Sequence, residues 1–115
     1  MRLQPAQSAP SAKPPPPRAV TRAISLGCTL TRGAGSPIRA RTIDLGLTGM
    51  RVVTERPLAV DETVTFNLLY GDVRVCGHAL VVWQERPDLY DVRFRPLGPP
   101  MAHCLQDIVS GLAGA

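Results

Sequence analysis

From Ala23 to Thr31 apolar and polar positions alternate: Ile24, Leu26, Cys28 and Leu30 on one side, Ser25, Gly27, Thr29 and Thr31 on the other. Period two sends successive side chains to opposite faces of an extended chain, so this run predicts a half-buried strand with Cys28 as a core thiol. The same reading gives Ile38–Leu45, with Arg39 and Arg41 opposite Ala40 and Thr42, and then Met50–Thr54. Val64, Phe66, Leu68 and Tyr70 mark a fourth strand. Val73–Trp83 is the fifth, and Leu89–Arg95 the sixth, with Tyr90, Val92 and Phe94 inward. Turn-forming residues separate these runs at Arg32–Pro37, Gly46–Gly49, Glu55–Glu62, Gly71–Asp72 and Arg86–Asp88. Gly77, inside the fifth run, predicts a bulge or bend. After Pro96–Pro100 the period changes. Met101, Leu105, Ile108 and Leu112 fall at helical spacing, with Pro100 in the first turn and Gly111 at the fraying end. Six strands and one helix in so short a chain predict an all-β fold, an antiparallel six-stranded barrel. Closure removes exposed edges, and the C-terminal helix covers an open end.

Residues 1–17, MRLQPAQSAPSAKPPPP, break this patterning: they are rich in Pro, Ala, Ser and Gln and have little to bury. They predict a disordered tail with a short polyproline II stretch at Pro14–Pro17, leaving residues 18–115 as the folded domain. At 115 residues the chain holds no second core. Charge divides along the same axis. Residues 1–43 carry seven Arg or Lys and no acid, whereas residues 44–115 carry six Arg against nine acids. This asymmetry points to an anionic partner met by the N-terminal half. Three cysteines, Cys28, Cys76 and Cys104, form no CxxC and leave one unpaired in any disulfide scheme, which predicts a reducing, cytoplasmic setting. No run reaches the length of a membrane span, and the N-terminus has no apolar core of a leader.

Enzyme chemistry finds few tools here. Ser25, Ser36 and Ser110 sit in no nucleophile-elbow context, and neither His78 nor His103 has an acidic neighbour in sequence that would form a catalytic pair. No ligand-spaced group accompanies either histidine, so no metal site is expected. Trp83 is expected as a core or rim anchor.

Two motifs carry more. Arg18 and Arg22 stand four apart at the junction between tail and domain, and about twenty residues later comes Asp44-Leu-Gly-Leu-Thr-Gly49. This order resembles the PilZ domain, a bacterial receptor module for cyclic di-GMP whose signature is RxxxR followed by [D/N]xSxxG. His78–Trp83, a turn, and Tyr90–Phe94 are similar to that family's closing hairpin, and the similarity runs over roughly residues 18–112. Gly46 stands where the family has serine, and Asp91 where glycine is usual. The resemblance implies a PilZ-type barrel and a ligand site at Arg18, Arg22, Asp44, Gly46 and Gly49, with no catalytic residue, metal or cofactor. Arginine suits such a ligand, because its fork pairs with phosphate or with guanine O6 and N7 and its plane stacks on a base. A carboxylate accepts from guanine N1 and N2, and Gly49 lets the backbone approach or turns a corner at positive φ. Glycine in place of serine removes a hydroxyl worth about 0.5–1.5 kcal/mol, up to roughly tenfold in affinity.

Three functions follow as expectations. The first is a cyclic di-GMP receptor whose N-terminal segment changes on binding and so regulates an effector protein such as motility or exopolysaccharide machinery. The second is an adaptor of the same fold that works through its surface without useful nucleotide affinity. The third, a binder of single-stranded nucleic acid through the basic half, is disfavoured by the scarcity of aromatics for base stacking. Arg22, at the edge of a tail, is expected to have little packing to lose.

Overall fold

The computed structural model describes residues 21–111; the tail at 1–17, Arg18 and Leu112 lie outside them. Seven strands and one helix follow in order: β1 (Thr21–Ala23), β2 (Gly27–Thr31), β3 (Ile38–Gly46), β4 (Gly49–Thr54), β5 (Thr63–Tyr70), β6 (Val73–Arg86), β7 (Leu89–Phe94) and α1 (Pro99–Ser110). All pairings are antiparallel. The ring runs β3–β2–β5–β6–β7–β4 and closes by β4 on β3, giving a six-stranded barrel.

The extra strand comes from the expected first one. Ala23–Thr31 is broken by a bend at residues 24–26: β2 pairs with Ile38–Arg41, and β1 pairs with Asp44–Gly46. The bend is held by Thr42, whose buried hydroxyl donates to the Ile24 carbonyl (2.5 Å) and accepts from the Leu26 amide (2.8 Å). A backbone run that leaves the ladder must find its partners elsewhere, and Thr42 supplies them. The inward set survives the bend. Cys28 and Leu30 are buried, and Ile24 and Leu26 pack against the core.

Inside the barrel lie Leu30, Met50, Val52, Phe66, Leu68, Val75, Val81, Tyr90 and Val92, all fully buried. Phe66 and Phe94 stack with centroids 4.8 Å apart. Gly77 does not bend β6. The ladder passes through it in register with Phe66, and a Cβ there would lie 2.7 Å from Leu97 Cδ2 and 3.4 Å from Phe66. The glycine makes room for these side chains, while the register shifts of β6 lie further on, between Val81 and Trp83 and between Gln84 and Arg86. The Gly71–Asp72 turn takes positive φ at Gly71 (60°) and not at Asp72, the type II′ pattern with glycine first.

The helix starts with Pro99 and Pro100 in its first positions and ends at Gly111, whose φ of 82° is a left-handed cap rather than a frayed end. Leu105 and Ile108 enter the barrel's own cluster, with Met101 partly buried beside them. The covering role expected of the helix is therefore met at these positions.

Candidate functional site

Strand β3 decides where the site's carboxylate points. Ile38, Ala40 and Thr42 face inward, while Arg39 and Arg41 are exposed. Strict alternation would carry Asp44 into the core. Instead the register with β4 shifts between Thr42 and Asp44, so that Ile43 and Asp44 together oppose one stretch of partner strand. This bulge reverses the parity. Leu45 becomes a core residue with no exposure, Ile43 is 39% exposed, and Asp44 turns to the outer surface.

Residues directly opposed in an antiparallel ladder share a face. Asp44 opposes Arg51, Arg51 opposes Asp91, and Asp91 opposes Trp83, so one row crosses β3, β4, β7 and β6 on the outside of the barrel. Arg51 Nε donates to Asp44 Oδ2 at 2.9 Å, and its Nη1 donates to Glu85 Oε1 at 3.0 Å. The hydrogen bond to Asp44 is the largest cause holding the Arg51 guanidinium above the ordinary arginine range; desolvation opposes it and Glu85 adds to it. Asp91 is only 2% exposed although it faces outward, flanked in the ladder by Arg51 and Trp83. The Trp83 indole Nε1 is buried without a hydrogen-bond partner. Arg51, Glu85, Asp91 and Trp83 as neighbours of Asp44 were not readable from local sequence, because they come from three other strands, β4, β6 and β7. The signal available was Asp91 itself, a charge in place of the usual glycine.

The corner after Asp44 runs through Gly46, at the end of β3 opposite Thr21, to Gly49 at the start of β4. Gly49 does not take positive φ. Its need is space: a Cβ would collide with the Val92 carbonyl oxygen and lie 3.2 Å from Arg93 Cα. The site glycine is thus also required by the close pass of β4 over β7.

Of the two arginines, the described residues include Arg22. β1 pairs it with Leu45 and sets Ala23 opposite Asp44. Arg22 therefore shares the inner side with Leu45, away from the Asp44 carboxylate, and its Nη1 donates to the Ile108 carbonyl at 2.7 Å. That carbonyl also accepts from the Gly111 amide at 3.2 Å. A guanidinium at the last turn gives that helix-end carbonyl a second donor and complements the negative end of the helix. Arg22 consequently has more to lose than a tail residue would. The structure brings Asp44, Gly46 and Gly49 to one corner and β1 alongside them, with the Arg22 guanidinium turned to the helix.

His103 Nε2 lies 3.6 Å from Asp107 Oδ2, one helical turn away, which corrects the expectation of no acidic neighbour. The pair is solvent-facing, with His103 76% exposed, and among the described residues no serine or cysteine is hydrogen-bonded to either side chain. Among the described residues no group of three or more His, Cys, Asp or Glu is placed to hold a metal ion. Burial, opposed by the nearby Arg41 charge, pushes the Cys28 thiol up to about 12, so it stays protonated and structural. All three cysteines are free, and no described helix is long and apolar enough to cross a membrane.

The family model of the PilZ domain matches residues 17–111, nearly the whole patterned chain. The protein belongs to the PilZ domain family. Two solved PilZ domains share its fold. One is the PilZ domain of CeSA from a cellulose-synthesizing bacterium, at TM-score 0.66 and 13% identity, covering 82% of this chain and 98% of that one. The other is the PilZ domain of YcgR from Escherichia coli, solved with c-di-GMP, at TM-score 0.61 and 20% identity, covering 76% of this chain and 81% of that one. No curated protein sequence matches the chain.

Proposed function

We infer that this PilZ domain is a cytoplasmic receptor for cyclic di-GMP that takes the ligand at the Asp44–Gly49 corner, clasped by Arg18 and Arg22, and signals to an effector through its N-terminal segment. The carrying observation is the bulge that turns Asp44 outward beside the segment led in by β1. A carboxylate there accepts from guanine N1 and N2, and Arg51 and Trp83 in the same row offer a second fork and an apolar ring plane. The YcgR domain with c-di-GMP supports the ligand's identity.

Arg22 gives the binding event a consequence. Its guanidinium cannot hold the Ile108 carbonyl at 2.7 Å and a phosphate or guanine on the other side of β1 at once. Ligand binding would draw it from the helix, reorganise β1 and uncap the last turn of α1. The surface presented by tail, β1 and helix then differs between the two states, which is what an effector such as motility or exopolysaccharide machinery would read.

One observation favours the adaptor reading instead. Asp44 is already engaged by Arg51 at 2.9 Å, and Gly46 offers no hydroxyl, so a nucleotide must compete for the carboxylate with less help than the family pattern provides. Calorimetric titration separates the two. The receptor reading expects saturable heat at or below tens of micromolar cyclic di-GMP; silence there leaves the adaptor. Arg22→Ala should weaken binding by roughly ten- to a hundredfold, the loss of charge-assisted bonds worth about 1.5–3 kcal/mol. Arg22→Lys should recover little of this if the planar fork matters, and nearly all of it if only diffuse charge matters. Equal binding by the wild type, Arg22→Ala and Lys13→Ala would remove the arginine clasp.

A further inference from the structure

On the outer face of β2, β3, β4 and β5 lies a groove of about 710 Å³ that the nucleotide corner does not use. Gly27 and Thr29 form its floor, and Ile43, Val53 and Leu69 give it apolar walls. Ile43 is 39% exposed and Leu69 48% exposed. Gly27 leaves the floor open: a Cβ there would meet only the Arg41 Nη1, at 3.8 Å. Arg41 is steadied by a bond from its Nε to Ser25 Oγ at 3.1 Å. Arg39 lies two residues away on the same face. Neither arginine forms an ion pair with a described residue, although Arg32 and Arg51 both do. Glu55 is the one carboxylate among the described lining residues, so the groove keeps a positive charge.

We propose that this groove is a docking site for an acidic peptide segment of a partner protein, extended along β3 with two carboxylates and an aliphatic anchor on its sheet-facing side. The spacing fits. Residues two apart on a strand are about 6.7 Å apart, the interval between alternate residues of an extended peptide, so two carboxylates at i and i+2 meet Arg39 and Arg41 in turn. The next sheet-facing position of the peptide, i+4, sets an aliphatic side chain against the exposed Ile43, two residues beyond Arg41.

The other occupants fit less well. The chain's own N-terminal residues 1–20 carry Arg2, Lys13 and Arg18 and no acid, so they are repelled by the same two arginines. A second copy docked on the same face would set arginine against arginine. Nucleic acid would satisfy the arginines, but no described lining residue is aromatic, which leaves its bases without a stacking partner. The closed barrel leaves β3 paired on both sides, so the peptide is held by side chains and not by adding a strand.

The test uses the full chain, ¹⁵N-labelled, titrated with a synthetic peptide that carries Glu at i and i+2 and Leu at i+4, with Ser between them. The amides of Gly27, Thr29, Arg41 and Leu69 should shift together and saturate. Arg39→Glu and Arg41→Glu should each weaken binding by roughly tenfold or more, since each loses a charge-assisted pair. Both side chains point to solvent, so the dispersion of the remaining amides should show an intact barrel. The same variants should leave cyclic di-GMP titrations unchanged, which separates failure of the groove from failure of the nucleotide site. Shifts scattered over Arg74, Arg86 and other exposed basic positions, or none, would overturn the proposal. So would tighter binding of a deca-thymidylate strand than of the peptide at the same groove.

Discussion

Gly49 shows how one residue answers two demands. The proposed ligand corner includes it, and the barrel requires it because a Cβ would strike the Val92 carbonyl, a backbone atom that cannot step aside as a side chain can. Gly49→Ala should therefore cost about 1–3 kcal/mol of stability with no ligand present, the usual penalty of forced overpacking. Urea unfolding of the ligand-free variant measures this directly. A midpoint equal to that of the wild type would mean that β4 is free to shift over β7, and that the glycine serves only the ligand. Asp44 is the contrasting case, since its side chain acts through its direction alone. The bulge at Ile43–Asp44 sets that direction, and the pair with Arg51 holds it.

Among the elements, the loop between β4 and β5 depends most on charge. Arg32 grips Glu62 through two bonds of 2.9 and 2.8 Å, and Glu62 also accepts from the Ala59 amide at 2.5 Å. Next to it Asp61 takes a φ of 77°, with its amide tied to the Val81 carbonyl at 2.7 Å. The Arg32 hydrogen bond is the main cause that lowers the Glu62 pKa below its usual 4.5. A carboxylate with a depressed folded pKa stabilises the protein above its unfolded pKa, and that contribution disappears as pH falls through the folded value. The expected loss thus begins near pH 4.5 and continues below it. Glu62→Gln should lower stability at neutral pH and flatten the decline below pH 4.5, as followed by thermal melts across pH. A decline as steep in the variant as in the wild type would assign the acid sensitivity to other carboxylates. The pair is partly open to solvent, with Arg32 49% exposed, so the effect stays small.

At the scale of the whole molecule, α1 joins the barrel's core through Leu105 and Ile108 and meets the N-terminal strand through Arg22. Leu105→Asp would bury a carboxylate among aliphatic side chains and should cost several kcal/mol, on the order of the penalty for an unpaired buried charge. An unchanged melting temperature would mean that the helix leaves the barrel readily. The same connection makes the receptor reading a statement about the entire domain, because a change at β1 reaches the helix in one hydrogen bond. The proposed nucleotide corner begins at Asp44, and the basic groove runs along Arg39–Ile43 of the same strand. A ligand on one and a partner on the other would share strand β3.

Period-two patterning determined the six staves of the barrel and the inward set of each, because burial of one face is a local property of every strand. The change to helical spacing after Pro100 determined the helix with its buried Leu105 and Ile108, and the order of the Arg and Asp–Gly motifs marked a PilZ domain. Local pattern carried no information on where parity would break. The bend at residues 24–26, the bulge beside Asp44 and the shifts after Val81 arise from closing the sheet on itself, and their hydrogen bonds go to residues distant in sequence. Gly77 and Gly49 looked like conformational glycines, yet both are demanded by neighbours that only packing brings near. The row Asp44–Arg51–Asp91–Trp83 and the turn of Arg22 toward Ile108 likewise exist only in three dimensions, since register across four strands and a contact between the two ends of the domain decide them.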